Sequence, residues 1–280
     1  MQPFSSRSVA TIAWLLLASF PFLGAAERVT SHHLRLNLVS EQSVIVPGQE
    51  FSVALHFALD PGWHLYWVNP GDSGEPPRVE WTLPAGFRAG AFEWPTPRRI
   101  NDWQVVDYGY ENELVLLTRV QAPPGADGTA DLQANVKWAV CRDVCIADRA
   151  QLSLKLPVAS KAEAAPPKVL FERTRANLPR VAPRAWKASA VSTKDSFVLT
   201  IRGGSTGIPP KAGVEPNFFP LEKQQIENAA PQKFSATGNT ARFVLKKSEQ
   251  LLKPVATLKG VVSFGPGQSF LIEAPVSERR

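Results

Sequence analysis

The sequence predicts an all-β protein, two immunoglobulin-like β-sandwich domains behind a signal peptide, and three observations carry that expectation. Through most of the first half, apolar residues alternate with polar ones at a period of two. Clusters of Pro, Gly, Asn and Asp punctuate the alternation at intervals that suit a sandwich. No helical period is sustained before residue 160, and a Pro-rich stretch then divides the chain.

Arg7 precedes an apolar run from Val9 to Leu23 that closes on Gly24, Ala25 and Ala26. This is the layout of a secretory signal peptide, residues 1–26, with cleavage expected near Ala26. Ser19 and Pro21 interrupt the run, which is short for a bilayer span, so an uncleaved anchor is the lesser reading. Export to the periplasm follows as the expected localisation. The 31 basic and 25 acidic side chains leave a formal charge of +6, and the basic residues are scattered. That distribution argues against a nucleic-acid partner.

Residues 27–159 read as the first sandwich. Leu34, Leu36 and Leu38 mark one half-buried strand, and Phe51, Val53, Leu55, Phe57 and Leu59 a second. Leu132, Val136, Trp138 and Val140 mark another, and Leu152, Leu154 and Leu156 its successor. Pro47-Gly48, Asp60-Pro61-Gly62, Asn69-Pro70-Gly71-Asp72 and the Pro123 to Gly128 stretch supply turns. Residues 160–185 read as a linker with a short helix from Lys168 to Asn177. Residues 186–280 read as a smaller β-sandwich, with strands at Phe197 to Ile201, Ala241 to Lys246, Ala256 to Lys259, Gly260 to Phe264 and Ser269 to Glu273. That second domain holds no Cys, His or Tyr, which assigns any chemistry to the first.

The chemistry centres on Cys141 and Cys145. Val136, Trp138 and Val140 take the core face of the incoming strand, so Cys141 falls on the opposite face with Gln133, Asn135 and Lys137. Counting back from Leu152 puts Cys145 on that face too. With Arg142, Asp143 and Val144 as a hairpin loop, the cysteines become opposed neighbours at about 4.5–5.5 Å between Cα atoms, a separation a disulfide accepts. In one continuous strand they would stand roughly 13 Å apart and no bond could form. Three uses remain open from the residues alone. A structural staple is disfavoured because so short a loop removes little entropy from the unfolded chain. A metal site needs further ligands, and His32, His33, His56 and His64 show no ligand spacing relative to the pair. Redox use is the leading reading; Arg142 would favour a thiolate and Asp143 oppose it.

Two segments are unusually aromatic for loops: Gly62 to Gly74 and Phe92 to Pro97. Trp63, Trp81 and Trp138 suit a core, whereas Trp67 and Trp103 suit core or surface equally. His64 and Tyr66 share one parity and would line one pocket. Phe92, Trp94 and Pro95 are expected to cover a disulfide on the solvent side, because an exposed reactive pair exchanges with any thiol it meets.

Taken together, Pro61 to Trp67, Asn69 to Asp72, Trp94-Pro95, Asp107-Tyr108-Gly109-Tyr110 and the cysteine pair resemble the periplasmic N-terminal domain of the DsbD thiol:disulfide interchange proteins. The likeness runs from about Leu34 to Val158, and its flavour is that of the ScsB-like branch linked to copper tolerance. The resemblance implies an immunoglobulin-like domain that takes electrons from a membrane-embedded donor and passes them to thioredoxin-fold periplasmic proteins. It implies Cys141 and Cys145 as the redox pair, His64 and Tyr66 beside them, and Phe92 to Pro97 as a cap loop. No cofactor is expected; copper binding is the minor alternative. Two departures stand out. Only three residues separate the cysteines, fewer than in the best-known members, and the membrane-spanning and thioredoxin-like parts do not follow. Electron supply would then come from a separate membrane protein, or the chain is a truncated descendant whose electron supply is gone. The competing class is a non-catalytic exported binding module with a structural disulfide, gripping a partner or glycan through Trp63, Trp67 and Trp94.

Overall fold

The computed structural model describes residues 28–102, 105–203 and 214–278, so the signal-peptide expectation and Trp103 lie outside the described residues. In chain order the first strands are β1 (Arg28–Ser31), β2 (Leu34–Ser40), β3 (Gln42–Val44), β4 (Glu50–Leu59), β5 (His64–Gly71), β6 (Arg78–Thr82) and β7 (Arg88–Ala89). They continue with β8 (Arg98–Asp102), β9 (Val105–Glu111), β10 (Glu113–Gln121), β11 (Thr129–Cys141), β12 (Cys145–Pro157) and β13 (Glu163–Ala164). One sheet runs β1-β2-β4-β10-β7. The other runs β12-β11-β5-β9-β8, with β6 paired to the near part of β11.

The two sheets bury the alternating residues between them. Leu36, Leu38, Val53, Leu55 and Phe57 face Leu132, Val136, Val140, Leu152 and Leu154 in one core, every one of them buried. This is the all-β sandwich that the period-two pattern predicts. Not every strand alternates. β5 is buried on both faces along most of its length, and so are β9 and the middle of β10. The Gly62 to Gly74 segment, read from sequence as an aromatic loop, is therefore mostly strand.

The outer face of β10 is covered by helix α1 (Lys168–Asn177). Phe171 is fully buried there against Ala54, Val115 and Leu117. Arg175 makes a two-pronged bond to Glu41, each Nη to one carboxylate oxygen at 2.6 Å, and Arg173 reaches both oxygens of Glu113. The helix is thus anchored to the first sandwich by an aromatic plug, one guanidinium–carboxylate fork and a second ion pair in which Arg173 Nη2 alone spans the Glu113 carboxylate.

Beyond it come β14 (Arg180–Val181), β15 (Lys187–Ser192), β16 (Ser196–Arg202), β17 (Asn217–Pro220), β18 (Lys233–Thr237), β19 (Thr240–Lys246), β20 (Thr257–Ser263) and β21 (Ser269–Glu278). Their order is β17-β20-β21-β15-β16-β19-β18, with β14 on β21. The first part of β21 pairs with β20 and its last residues with β15, so one strand joins two layers around Phe197, Phe218, Phe243 and Phe264. The two strand candidates divided at Gly260 are one strand, β20.

The two sandwiches share apolar surface. Phe219 and Val261, from β17 and β20, belong to the first core. The Phe219 ring meets Tyr108 edge-on at 5.3 Å and Trp67 at 6.3 Å, so aromatic contacts join the second sandwich to that core.

Candidate functional site

β11 and β12 form a long antiparallel hairpin whose last pair is Cys141 and Cys145. Arg142, Asp143 and Val144 make the loop, tightened by a bond from the Arg142 amide to the Val144 carbonyl at 3.1 Å. The two sulfurs are joined in a disulfide, with Cα atoms 4.1 Å apart. Parity holds, in that Cys141 points away from the core occupied by Val140. Burial departs from the solvent-facing expectation, since Cys141 is only 1% exposed while Cys145 is exposed. Sheet order explains the difference. β11 lies inside the sheet, where Cys141 is paired on its far side with His64 of β5, whereas β12 is the edge strand.

His64 and Tyr66, the first and third residues of β5, stand on the sulfur-bearing face. Their rings meet edge to face at 5.1 Å. The Tyr66 hydroxyl lies 3.5 Å from Cys145 Sγ and 3.4 Å from Ser73 Oγ. Ser73 in turn donates from its amide and its hydroxyl to the two oxygens of Asp107, both at 2.8 Å. His64 Nε2 stands 4.0 Å from Asp107 Oδ2. Burial raises the Tyr66 phenol above its ordinary range, the Ser73 bond opposes this, and the Asp107 charge adds to the rise. Tyr66 is therefore a neutral hydroxyl at physiological pH, able to donate to sulfur. Gly74 makes this packing possible: a Cβ there would sit 2.1 Å from the Tyr66 ring, and its φ of +68° is one that residues with a side chain rarely adopt.

Arg142 does not simply face the sulfurs. Its guanidinium lies 5.2 Å from the Trp63 ring centroid, and its Nε donates to Asp143 at 2.9 Å. Trp63 also stacks on His33 at 4.0 Å. Trp63 and Trp67 are 5% and 1% exposed, so neither ring is free to grip an external ligand.

The Phe92 to Pro97 segment is placed on the other side of the sheet. Phe92 stacks on Trp81, and Phe92 and Trp94 both pack against the first core. The Glu93 amide bonds to Leu117, the Thr96 amide to Asn177, and the Pro95 carbonyl accepts from Tyr110 at 2.7 Å. Tyr110 belongs to the core, opposite in parity to Asp107 on β9. The structure thus brings Cys141, Cys145, His64 and Tyr66 together, while Phe92, Trp94 and Pro95 line the core side, and the ring that meets the sulfur is Tyr66. A solvent-side loop and a core-side loop look alike in sequence when both are aromatic and Pro-rich.

Ser73 and Asp107 complete the site; both lie in segments that stand out in the sequence, but neither has a site role there. Asp107 is marked in the sequence as an acidic residue inside an otherwise apolar run from Val105 to Tyr110. Among the described residues, no group of three or more His, Cys, Asp and Glu side chains is placed to hold a metal ion.

Residues 36–157 match the sequence family described as thiol:disulfide interchange protein DsbD, N-terminal. No curated protein sequence matches the chain. Among solved structures, the N-terminal periplasmic domain of ScsB from Proteus mirabilis aligns with a TM-score of 0.66 at 17% identity, covering 91% of this chain and 98% of that one. That likeness is one of fold, and it spans both sandwiches. Domains 5–6 of the S-layer protein SbsC align at 8% identity with a TM-score of 0.23, too low to imply a common fold.

Proposed function

From the premise that residues 36–157 are a DsbD-type N-terminal domain, we propose that this protein is a periplasmic electron carrier working by thiol–disulfide exchange through Cys141 and Cys145. The observation that carries the reading is the asymmetry of the pair. Cys145 is exposed, with a neutral phenol hydroxyl 3.5 Å from its sulfur, and Cys141 is buried beside it. An attacking thiol needs access and a donor to stabilise its thiolate; a resolving thiol needs only proximity.

In the reduced protein, the Cys145 thiolate attacks one sulfur of a disulfide in a thioredoxin-fold partner. A mixed disulfide forms, the partner's own S–S bond breaks, and its second sulfur leaves as a thiolate that takes a proton from solvent. Cys141, losing its proton, then attacks Cys145 Sγ. The 141–145 bond closes and the partner leaves with two thiols, so two electrons and two protons have moved. A membrane-embedded dithiol donor reverses these steps to recharge the carrier. Tyr66 is the hydrogen-bond donor to the Cys145 thiolate, and the Ser73–Asp107 pair holds the turn beside it. Val144, 63% exposed at the hairpin tip, offers the partner an apolar contact next to the reactive sulfur.

The test is trapping. Cys141→Ala leaves an attacking thiol with nothing to resolve it, so it is expected to accumulate mixed disulfides with thioredoxin-fold proteins, visible as dithiol-sensitive adducts by mass spectrometry. Cys145→Ala is expected to give none. Equal trapping by both variants, or by neither, contradicts the assignment.

A further inference from the structure

Among the described residues, Asn228 of the second sandwich bonds to the turn that flanks the disulfide pocket. It lies between β17 and β18, is 7% exposed, and its side-chain amide and backbone carbonyl are engaged across the boundary between the sandwiches. Its Nδ2 donates to Asp72 Oδ1 at 2.7 Å. Its Oδ1 accepts from the Tyr108 hydroxyl at 2.8 Å, and its backbone carbonyl accepts from Arg99 Nη2 at 2.6 Å. Burial raises the Tyr108 phenol, so that hydroxyl remains a donor. The neighbouring contact is built in the same manner: Asn69 Nδ2 donates to the carbonyls of Pro220 and Glu222 at 2.8 and 3.2 Å.

Asp72 is the hinge of this arrangement. Its second oxygen accepts from the Val106 amide at 2.8 Å, and the next residue, Ser73, is bonded to Asp107 and faces the Tyr66 hydroxyl. Gly74 closes over the Tyr66 ring. A continuous path of contacts therefore runs from Asn228 through the turn Asp72-Ser73-Gly74 and Tyr66 to Cys145 Sγ. We propose that Asn228 is a positioning residue by which the second sandwich holds that turn closed on Tyr66 and so restricts approach to the disulfide from the Tyr66 side, leaving the other side of Cys145 open. The proposal goes beyond the carrier reading in giving the second sandwich a part in the site. It shares with that reading only the requirement that the bond be reducible.

The exchange of partners makes it testable. Asn228→Asp keeps the acceptor for Tyr108 but sets a second carboxylate against Asp72, which removes the donor and adds repulsion. Reduction of the 141–145 bond by dithiothreitol, followed by alkylation, is expected to quicken by about three- to tenfold, the size a closed–open balance shows when one hydrogen bond is lost. The double variant Asp72→Asn with Asn228→Asp reverses the donor and acceptor across the same gap. It is expected to return the rate to that of the unaltered protein. A merely structural contact would move the melting temperature and leave the reduction rate alone. An unchanged rate in folded Asn228→Asp overturns the proposal, and so does a double variant that folds but stays fast. Should Asn228→Asp not fold, Tyr108→Phe, which removes the hydroxyl bonded to Asn228 Oδ1, is expected to quicken reduction in the same direction, and no change in it would also overturn the proposal. Because the probe is a small dithiol, failure to exchange with thioredoxin-fold proteins would count against the carrier reading and not against this one.

Discussion

Cys145→Ser is expected to reduce exchange with thioredoxin-fold proteins to the uncatalysed background while the protein stays folded. The two halves of this result have separate causes. Exchange is lost because the exposed sulfur is the one a partner can meet, and the remaining Cys141 is 1% exposed. Folding survives because the bond closes a loop with a sequence separation of only four. For so few residues the loop-entropy relation gives about 2 kcal/mol, against about 4.7 kcal/mol for a loop of 100 residues. In a protein of this size that corresponds to a fall in melting temperature of roughly 4–8 °C, read by calorimetry. The hairpin also has its own reasons to form, since β11 and β12 stay paired from Thr129 and Pro157 to the cysteines. Collapse of the fold in Cys145→Ser would move the bond into the class of structural staples.

Gly109→Val is expected to have the largest effect on the fold of any single change near the site. Gly109 lies on β9 opposite Tyr66 of β5, and a Cβ there would stand 2.1 Å from the backbone oxygen of Leu65 and 3.2 Å from Ile100 Cδ1. A backbone oxygen in a sheet centre cannot rotate away, so β5 and β9 must separate. β5 carries His64, Tyr66 and Trp67, and β9 carries Asp107 and Tyr108. The cost is expected to exceed about 3 kcal/mol, at the upper end of overpacking penalties. Urea denaturation would measure it, and dithiothreitol should reduce the disulfide of any folded fraction faster. A loss below about 1 kcal/mol would mean that the β5–β9 pairing is looser than described.

Much of this architecture is legible in the sequence where one face of a strand meets water. β2, β4, β11 and β12 alternate, and the register of the last two places Cys141 against Cys145. The pattern fails where both faces are covered. β10 is Glu-Leu-Val-Leu-Leu-Thr-Arg-Val-Gln, with Val115 and Leu117 turned toward Phe171 of α1 and Leu114 and Leu116 toward the core. β5 loses its alternation because Leu65 and Trp67 enter the core while His64 and Tyr66 pack around the disulfide. Parity correctly gives the side of the sheet on which the sulfurs lie. It cannot give their exposure, which depends on whether the neighbouring strand is interior or edge. The parts of the site contributed by Asp72, Ser73 and Asn228 are joined across sequence separations of up to 156 residues, and no local pattern encodes them.

The central claim, that Cys141 and Cys145 are joined for exchange and not for stability, is tested most directly by the equilibrium reduction potential of the pair. The protein would be equilibrated in graded dithiothreitol or glutathione buffers, quenched by alkylation, and the two-thiol and disulfide forms counted by mass. A carrier must accept and release electrons within reach of periplasmic dithiols, so the midpoint is expected well above about −300 mV. A midpoint below that value, in the range of structural bonds, would contradict the account.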